Sequence, residues 1–568
     1  MNHPAWKYRP VVALGDKCLL LYSRFEDKDA CKSVPGGRWE PELKAWEYPL
    51  QPETLERLAK VFPGLNVEPE ARLELAKITE GEVLAERMKA AGWEDTEPVE
   101  PMPIKTKPYQ HQVAGYNLAL HQPHHAMLYE QGCGKTLTAI AVTGRRFQKN
   151  EVRRVLVVAP ASVVPVWPSE FALHADFPHE VLILQGPVKK RKKMLKEFAP
   201  EEECLQISVI NYESTWRMFD ELAAWQPDMI ICDESQRIKT PGARQSKAMH
   251  KLGQRTKYRL ILTGTPVTQG PLDFFSQYKF LNQKIFGRSY YAFRNRYAIM
   301  GGWENKQVVG YRNLPELVKK AHSIAFRVAK KDALDLPPVV EQELYCELEP
   351  KAAGLYRQLA RESVAQIEGE RTVTAAIVLT RLLRLSQLTG GFINDDDGNI
   401  NVVSKAKMNL FKDTLDDILC AGKKVVVFAR FIPEITAIRK HSEKERIGYS
   451  WIAGEVKQSE RGEMVRRFQE DKDCRLFVAQ TQTAGLGITL HAASIALFYS
   501  LDYSFANLDQ ARARIDRIGQ TANKVTNIFL LAKDTVDEKV RKILAEKQDV
   551  ARVVVDDWKR LFKDREGK

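Results

Sequence analysis

Seven residues constrain this chain more than any others: Glu130-Gln131-Gly132-Cys133-Gly134-Lys135-Thr136. An apolar helix follows them, and downstream the apolar strand Met229-Ile230-Ile231-Cys232 ends in Asp233-Glu234-Ser235-Gln236. A glycine loop at a helix N-terminus offers backbone N–H groups and the positive end of the helix dipole to a polyphosphate. Gly132, Cys133 and Gly134 supply that loop, Lys135 the cation for the β- and γ-phosphates, and Thr136 the hydroxyl that ligates magnesium. A strand that ends in two carboxylates places them at the C-terminal edge of a parallel sheet, beside such a loop. There Asp233 is expected to hold Mg2+ through water, and Glu234 to polarise the water that attacks the γ-phosphate. The strict phosphate-loop pattern asks for glycine where Tyr129 stands, so the match fails at its first position.

Upstream, Gln110 in Lys107-Pro108-Tyr109-Gln110 carries an amide able to pair with both N6 and N7 of adenine, which makes ATP the expected nucleotide. Tyr109 can stack on the base or pack into the domain. Arg514 and Arg517 lie three apart in a stretch that reads as helix, and so share a face that could point across a cleft. Gln236 could bridge the carboxylate pair to the turn Thr263-Gly264-Thr265-Pro266 or to the other lobe.

The chain has 568 residues, too many for one core, and a formal net charge of +13 with a pI near 9.1. The basic balance favours a polyanionic partner. Eight scattered cysteines, with no C-x-x-C pair and no histidines at zinc spacing, read as reduced thiols of an intracellular protein, cytoplasmic or nuclear. No apolar run reaches the length that spans a bilayer, so a soluble protein without a membrane partner is expected, and nothing demands more than a monomer.

Residues 1–64 read as a small α+β unit, with short β-type runs broken at Pro35-Gly36-Gly37 and a helix stopped by Pro63-Gly64. Residues 65–106 read as a linker with one helix from Ala71 to Ala91. Strands then alternate with helices over 107–275, the pattern of a parallel α/β sheet. Residues 276–404 read as a mostly helical insertion, 405–549 as a second α/β lobe, and 550–568 as a C-terminal helix or tail.

Further blocks stand in order along the chain. VLVVAP (Val155 to Pro160), ISVINY (Ile207 to Tyr212) and Leu262-Thr263-Gly264-Thr265-Pro266 lie in the first lobe. KVVVFAR (Lys424 to Arg430), TQTAGLGITL (Thr481 to Leu490) and QARARIDRIGQ (Gln510 to Gln520) lie in the second. Together with the phosphate loop and the DESQ box they resemble superfamily-two helicases and, within them, the Swi/Snf-related double-stranded DNA translocases, over residues 107–549. VPGGRWEPELKAWEYPL and the helix after it are similar to the HARP domain, a small DNA-binding accessory of annealing helicases.

The resemblance implies two RecA-like parallel-sheet lobes with a helical insertion, an α/β fold, plus the small N-terminal domain. It implies a DNA-dependent ATPase that uses ATP and Mg2+, with double-stranded or forked DNA as its partner. In the family's pattern Arg514 and Arg517 complete the ATP site from the second lobe, and Gln510 matches a family glutamine. Ala513 replaces a frequent glycine. The loops around Pro160-Ala161-Ser162, Asn211-Tyr212 and Thr481-Gln482-Thr483, with Gly485, correspond to those that grip one strand's phosphates. Gln482 stands where relatives often carry arginine. The run Lys189-Lys190-Arg191-Lys192-Lys193 reads either as a solvated helix face or as a further DNA contact. A translocase that remodels DNA or displaces bound protein, with strand annealing at forks if the N-terminal unit binds DNA, leads this reading. A strand-separating DNA or RNA helicase and an ATP-controlled DNA clamp are the alternatives.

Overall fold

Strands buried on both faces are near-continuous runs of Val, Ile and Leu, and their positions set the architecture. The computed structural model describes residues 9–15, 18–50, 52–76, 83, 87, 92–199, 203–302, 307–334, 336–369, 375–394, 399–456, 458–482, 488–517 and 519–556. The chain divides into two compact units, residues 1–100 with 113–123, and residues 101–112 with 124–568.

The first unit carries a five-stranded sheet of β1 (Val11–Gly15), β2 (Cys18–Tyr22), β3 (Arg38–Glu40), β4 (Ala45–Pro49) and β5 (Asn66–Val67), in the order β3-β4-β2-β1-β5. Side chains alternate across β2, so Leu19 and Leu21 pack with Trp46, Leu58 and Phe62 on one face while Cys18 and Leu20 take the other. The helix Pro52–Val61 closes the first face. The unit runs past residue 64, where a linker was expected. β5 pairs in parallel with β1, and Ala71 and Leu75 on the helical segment 69–76 enter the same core. Most of the remainder of the helix expected to reach Ala91 lies outside the described residues.

In the second unit, β6 (His124–Tyr129), β7 (Arg154–Ala159), β8 (His179–Ile183), β9 (Leu205–Asn211), β10 (Met229–Asp233) and β11 (Tyr258–Leu262) form the first lobe's sheet. An antiparallel hairpin follows, β12 (Ala298–Gly301) and β13 (Gln307–Tyr311), and then β14 (Ala325–Val328), which returns to that sheet at its edge. The order is β14-β6-β11-β10-β7-β9-β8, with every pair parallel. Register aligns the strand ends that matter: Asp233 pairs with Leu262, and Cys232 with Val158.

The second lobe takes β15 (Val339–Cys346), then a small hairpin of β16 (Phe392–Asn394) and β17 (Ile400–Val402), then β18 (Val425–Ala429), β19 (Gly448–Ile452), β20 (Cys474–Gln480), β21 (Ile495–Phe498) and β22 (Val525–Ala532). Its parallel sheet runs β15-β22-β21-β18-β20-β19. Helices cover both faces, and Val426 and Phe428 serve one core while Val425 and Val427 serve the other.

The stretch 276–404 is thus more than a helical insertion. It supplies an edge strand to each lobe, β14 to the first and β15 to the second, beside its helices Tyr290–Tyr297, Leu314–Ser323, Pro350–Gly369 and Ala375–Thr389. Among the described residues no helix is long and apolar enough to cross a membrane.

Candidate active site

The phosphate loop leaves β6 at Tyr129 and enters the helix Lys135–Gln148. Gly134 is the residue before that helix, in the left-handed region at φ 75°. A Cβ there would also collide with the Gln112 amide, so glycine is required on two grounds. The first-turn N–H groups of the helix have no intrahelical acceptors and face the loop's mouth. Tyr129 explains the missing glycine. It is the last residue of the strand, fully buried, with its ring edge-on to Phe326 and His111. Lys135 Nζ folds back onto the carbonyl oxygens of Tyr129 at 3.0 Å and Glu130 at 3.4 Å. Thr136 stands in the helix's first turn.

Gln110 is exposed at the start of the helix Gln110–His121 and is not the amide beside the loop. That amide belongs to Gln112, which is buried; its Oε1 accepts from the Tyr109 N–H at 2.9 Å and its Nε2 donates to the Cys133 carbonyl at 3.3 Å. His111 Nε2 lies 2.9 Å from the same carbonyl. Burial lowers the His111 pKa, so the ring is neutral, and because a carbonyl only accepts, Nε2 carries the proton. Tyr109 stacks on His111 and is half exposed. Sequence reasoning missed His111 and Gln112; their position one and two residues after Gln110 was the available signal.

Asp233 is buried at the end of β10. Trp167 Nε1 donates to its Oδ2 at 3.2 Å, and the Tyr212 hydroxyl donates to its carbonyl oxygen at 2.8 Å. Burial and then the neighbouring Glu234 carboxylate push its pKa well above the usual carboxylate range, against the pull of Lys135 and of the Trp167 bond. A divalent cation at that oxygen would favour the carboxylate form. Glu234 follows with φ 51°, in the left-handed region. Gln236 Nε2 donates to Glu234 Oε2 at 2.7 Å, and Gln236 Oε1 accepts from Thr263 Oγ1 at 2.8 Å. Thr263 Oγ1 in turn accepts the Thr265 N–H at 3.1 Å. Gln236 is therefore a positioning residue between the carboxylate and the Thr-Gly-Thr-Pro turn. A second link, unforeseen from sequence, runs from Ser235 Oγ to Gln277 Oε1 at 2.7 Å and from Gln277 Nε2 to the Pro266 carbonyl at 2.7 Å.

From the second lobe come Arg514 and Arg517. The expected helix stops at Arg512, and both arginines lie in the turns after the helix Phe505–Arg512. Arg514 is buried, and its Nε makes no hydrogen bond. Burial and the adjacent Arg517 lower its pKa to about 10, while Glu234 and Asp509 pull it back up. Arg517 Nη1 donates to Thr489 Oγ1 at 2.9 Å, and its Cγ stands 3.6 Å from where a Cβ on Gly132 would lie. Burial lowers the Arg517 pKa as well. Arg512 turns away to Glu341 at 2.6 Å. Gln510 is half-buried on the same helix, whereas Asp509 reaches the space between the lobes. That space is a cavity of about 530 Å³, bordered by Glu130, Gln131, Thr265, Lys330, Asp509 and Asn527 among others.

Residues expected to grip phosphates separate into two groups. Ala161, Ser162 and Asn211 sit at the C-terminal ends of β7 and β9 with exposed or half-exposed side chains, next to the buried Pro160. Tyr212 is fully buried, and its hydroxyl serves Asp233, so it is a support rather than a contact surface. Thr481, 2% exposed at the end of β20, is likewise turned inward, while Gln482 is exposed. Thr483 and Gly485 lie outside the described residues. In the basic helix Val188–Glu197, Arg191 is turned onto the Gly186 carbonyl and Asn211, Lys192 pairs with Glu221, and Lys193 with Glu197.

Lys135, Thr136, Asp233, Glu234 and Arg514 do not line that cavity, but as a donor set they fit a magnesium-bound triphosphate: an ammonium, a first-turn hydroxyl, two carboxylates at the sheet edge and a buried guanidinium with an unpaired Nε. Magnesium would be held by Thr136 and Asp233 along with phosphate oxygens.

Residues 109–390 match the SNF2-related domain, and residues 407–519 match the helicase conserved C-terminal domain. The chain belongs to the SNF2-related, helicase-like proteins. This SNF2-related protein is 25% identical over 475 residues to a DNA repair and recombination protein RAD54-like of Drosophila pseudoobscura pseudoobscura, covering 76% of the chain and 60% of the fly protein. It is 27% identical over 455 residues to the human DNA annealing helicase and endonuclease ZRANB3, covering 77% of the chain and 39% of the human protein. An uncharacterized ATP-dependent helicase of Mycoplasma genitalium is 24% identical, over 75% of the chain and 40% of that protein. The chain thus spans between about two fifths and three fifths of the length of these relatives. Among solved structures it is similar to a Sulfolobus solfataricus SWI2/SNF2 ATPase core in complex with dsDNA, 26% identical over 82% of this chain and 95% of that one, with a TM-score of 0.39.

Proposed function

We propose that this SNF2-related protein is an ATP-dependent translocase on double-stranded DNA that remodels DNA or protein–DNA complexes. The observation that carries the reading is the approach of a second-lobe arginine to the first lobe's loop, with Arg517 Cγ beside Gly132 and the buried Arg514 three residues before it. In this reading Lys135 leaves the loop carbonyls for the β- and γ-phosphates, and Arg514 and Arg517 stabilise the charge that develops on the transferred phosphoryl group. Thr136 and Asp233 would hold magnesium, which when bound would supply charge neutralisation at the phosphates. Glu234, held by Gln236, orients and polarises the attacking water. Loss of the shared γ-phosphate removes the anion that both lobes grip, so the cleft reopens.

The Gln236 to Thr263 link ties that event to the turn between lobes, and the phosphate grips on each lobe exchange their hold in sequence. Grips at Ala161, Ser162, Asn211 and Gln482 reach phosphates rather than base edges, so low sequence specificity and a steep salt dependence are expected. In the N-terminal unit, Trp39 on the edge strand β3 is half exposed, which supports the HARP-like reading of a DNA-contacting accessory and, with it, fork remodelling or strand annealing.

The test is the steady-state ATPase rate with no nucleic acid, duplex, forked and single-stranded DNA, and RNA, followed by displacement of a triplex strand. Stimulation by duplex or forked DNA with triplex displacement supports the translocase. Turnover without displacement would instead favour a clamp, and stimulation by RNA or single strands alone a strand-separating helicase.

A further inference from the structure

Lys330 follows β14 in the first lobe and has none of the roles argued above. Its main-chain N–H donates to Glu130 Oε2 at 2.9 Å, while the other oxygen of that carboxylate takes the Arg327 guanidinium at 2.7 Å. Glu130 leads the phosphate loop, so the position of Lys330 is tied to the loop's. Its ammonium then crosses the cleft. It lies 3.0 Å from Asp516 Oδ2 and also donates to the main-chain carbonyl of Asp516. Two of its three donors are thereby spent on one residue of the second lobe.

Asp516 stands directly before Arg517 and two residues after Arg514. Lys330 Cε and Arg517 Cγ approach the same point, 3.7 and 3.6 Å from where a Cβ on Gly132 would lie. The pair is shielded, with Lys330 12% and Asp516 18% exposed, so salt screens it less than a surface pair. A chain of contacts therefore runs from the loop's leading carboxylate, through Lys330, into the segment that carries both arginines.

We propose that Lys330 and Asp516 are a positioning pair that sets the register of Arg514 and Arg517 over the phosphate loop. The inference rests on the cross-cleft reading of those two arginines. Without the pair the lobes still close on nucleotide, but the guanidinium groups arrive displaced. A displacement near 1 Å costs on the order of a hundredfold in rate with little change in ground-state binding.

The experiment is a double-mutant cycle on the full chain, with kcat and KM for ATP measured at saturating duplex DNA for Lys330→Ala, Asp516→Ala and the double variant. Each single variant should lower kcat by roughly 10- to 100-fold with KM unchanged, and the double variant should be no worse than the poorer single. Lys330→Arg, which keeps a cation within reach of Asp516, should restore most of kcat. Asp516→Asn, which keeps the side chain's shape and removes its charge, replaces Asp516→Ala if that protein does not fold, and should show the same fall in kcat. Additive losses, or a rise in KM with kcat intact, would overturn the pairing and make Lys330 a direct nucleotide contact. Arg517→Ala is run alongside. If it turns over normally, the arginine reading falls; if it is inactive while the cycle is additive, only the positioning claim falls.

Discussion

His111 donates from Nε2 to the carbonyl oxygen of Cys133 at 2.9 Å, pinning the middle of the phosphate loop from below. Gln112 supports the same carbonyl, so two adjacent side chains share one task. His111→Ala and Gln112→Ala should each raise the KM for ATP by about 10-fold, the cost of one or two hydrogen bonds that shape the loop. Gln110→Ala, at an exposed position, should leave KM where it was. Equal effects at Gln110 and Gln112, measured by ATP titration of the steady-state rate, would return the nucleotide contact to Gln110.

Lys135→Ala removes the cation that the loop holds against the Tyr129 and Glu130 carbonyls. Turnover should fall by at least about a hundredfold, as for loss of one preorganised charge at a transferred phosphoryl group. Nucleic-acid binding, read by fluorescence anisotropy on duplex DNA, should persist. Normal turnover in this variant would refute the site.

Arg514→Ala and Arg517→Ala should still bind ATP but hydrolyse it roughly a thousandfold or more slowly. Arg514 is the more buried of the two, and the Glu234 carboxylate favours its charged form, so its loss also alters the charge balance at the carboxylate pair. Binding of a fluorescent ATP analogue separates the two effects from loss of affinity. Unchanged single-turnover rates would remove both arginines from the reaction.

The residues proposed to hold phosphate were legible because that chemistry demands fixed spacing: a loop of one length before a helix, and carboxylates at a strand's end. What supports them was less so. The run Gln510-Ala511-Arg512-Ala513-Arg514 consists of good helix formers, yet the helix ends at Arg512, and the Arg514 carbonyl takes the Leu490 N–H at 2.9 Å instead. Tertiary contact overrode local preference there. β14 and β15 escaped notice for another reason. An edge strand such as VVEQELYC carries polar residues that a central strand would not, and so lacks the apolar run that marks its neighbours. Tyr212 shows the limit of reading a loop by its position: it stands where a phosphate grip was expected, but a ring of that size at a strand end turned into the core and gave its hydroxyl to Asp233.

Gln236→Ala would cut the path from Glu234 to Thr263 while leaving both end groups in place. Each lost bond involves a charged or buried partner, worth about 1.5–3 kcal/mol, so the hydrolysis rate should fall by roughly 10- to 100-fold. Thr263→Val, which removes only the far bond, should lose less of the rate without DNA but a comparable share of any stimulation by DNA. If Thr263→Val leaves that stimulation intact, the relay does not carry the coupling between lobes.

Glu434 gives the fold a pH dependence separable from the active site. It is buried in the second lobe at the start of the helix Ile432–Lys444, where Oε2 accepts from Ser500 Oγ at 2.5 Å and from the Phe431 N–H at 3.1 Å, and Oε1 makes no hydrogen bond. Burial raises its pKa from 4.5 to about 7, outweighing the Ser500 bond and the Lys407 charge. The folded state therefore holds a proton that the unfolded chain releases near pH 4.5. Stability from this group is fully present below that value, declines as pH rises, and is gone above about 7. Glu434→Gln, neutral at every pH, should melt above the parent at pH 8, and the gap should close as the pH is lowered toward 5. Parallel melting curves for the two proteins across that range, by differential scanning calorimetry, would show that Glu434 is ionised in the fold and that Lys407, rather than burial, governs it.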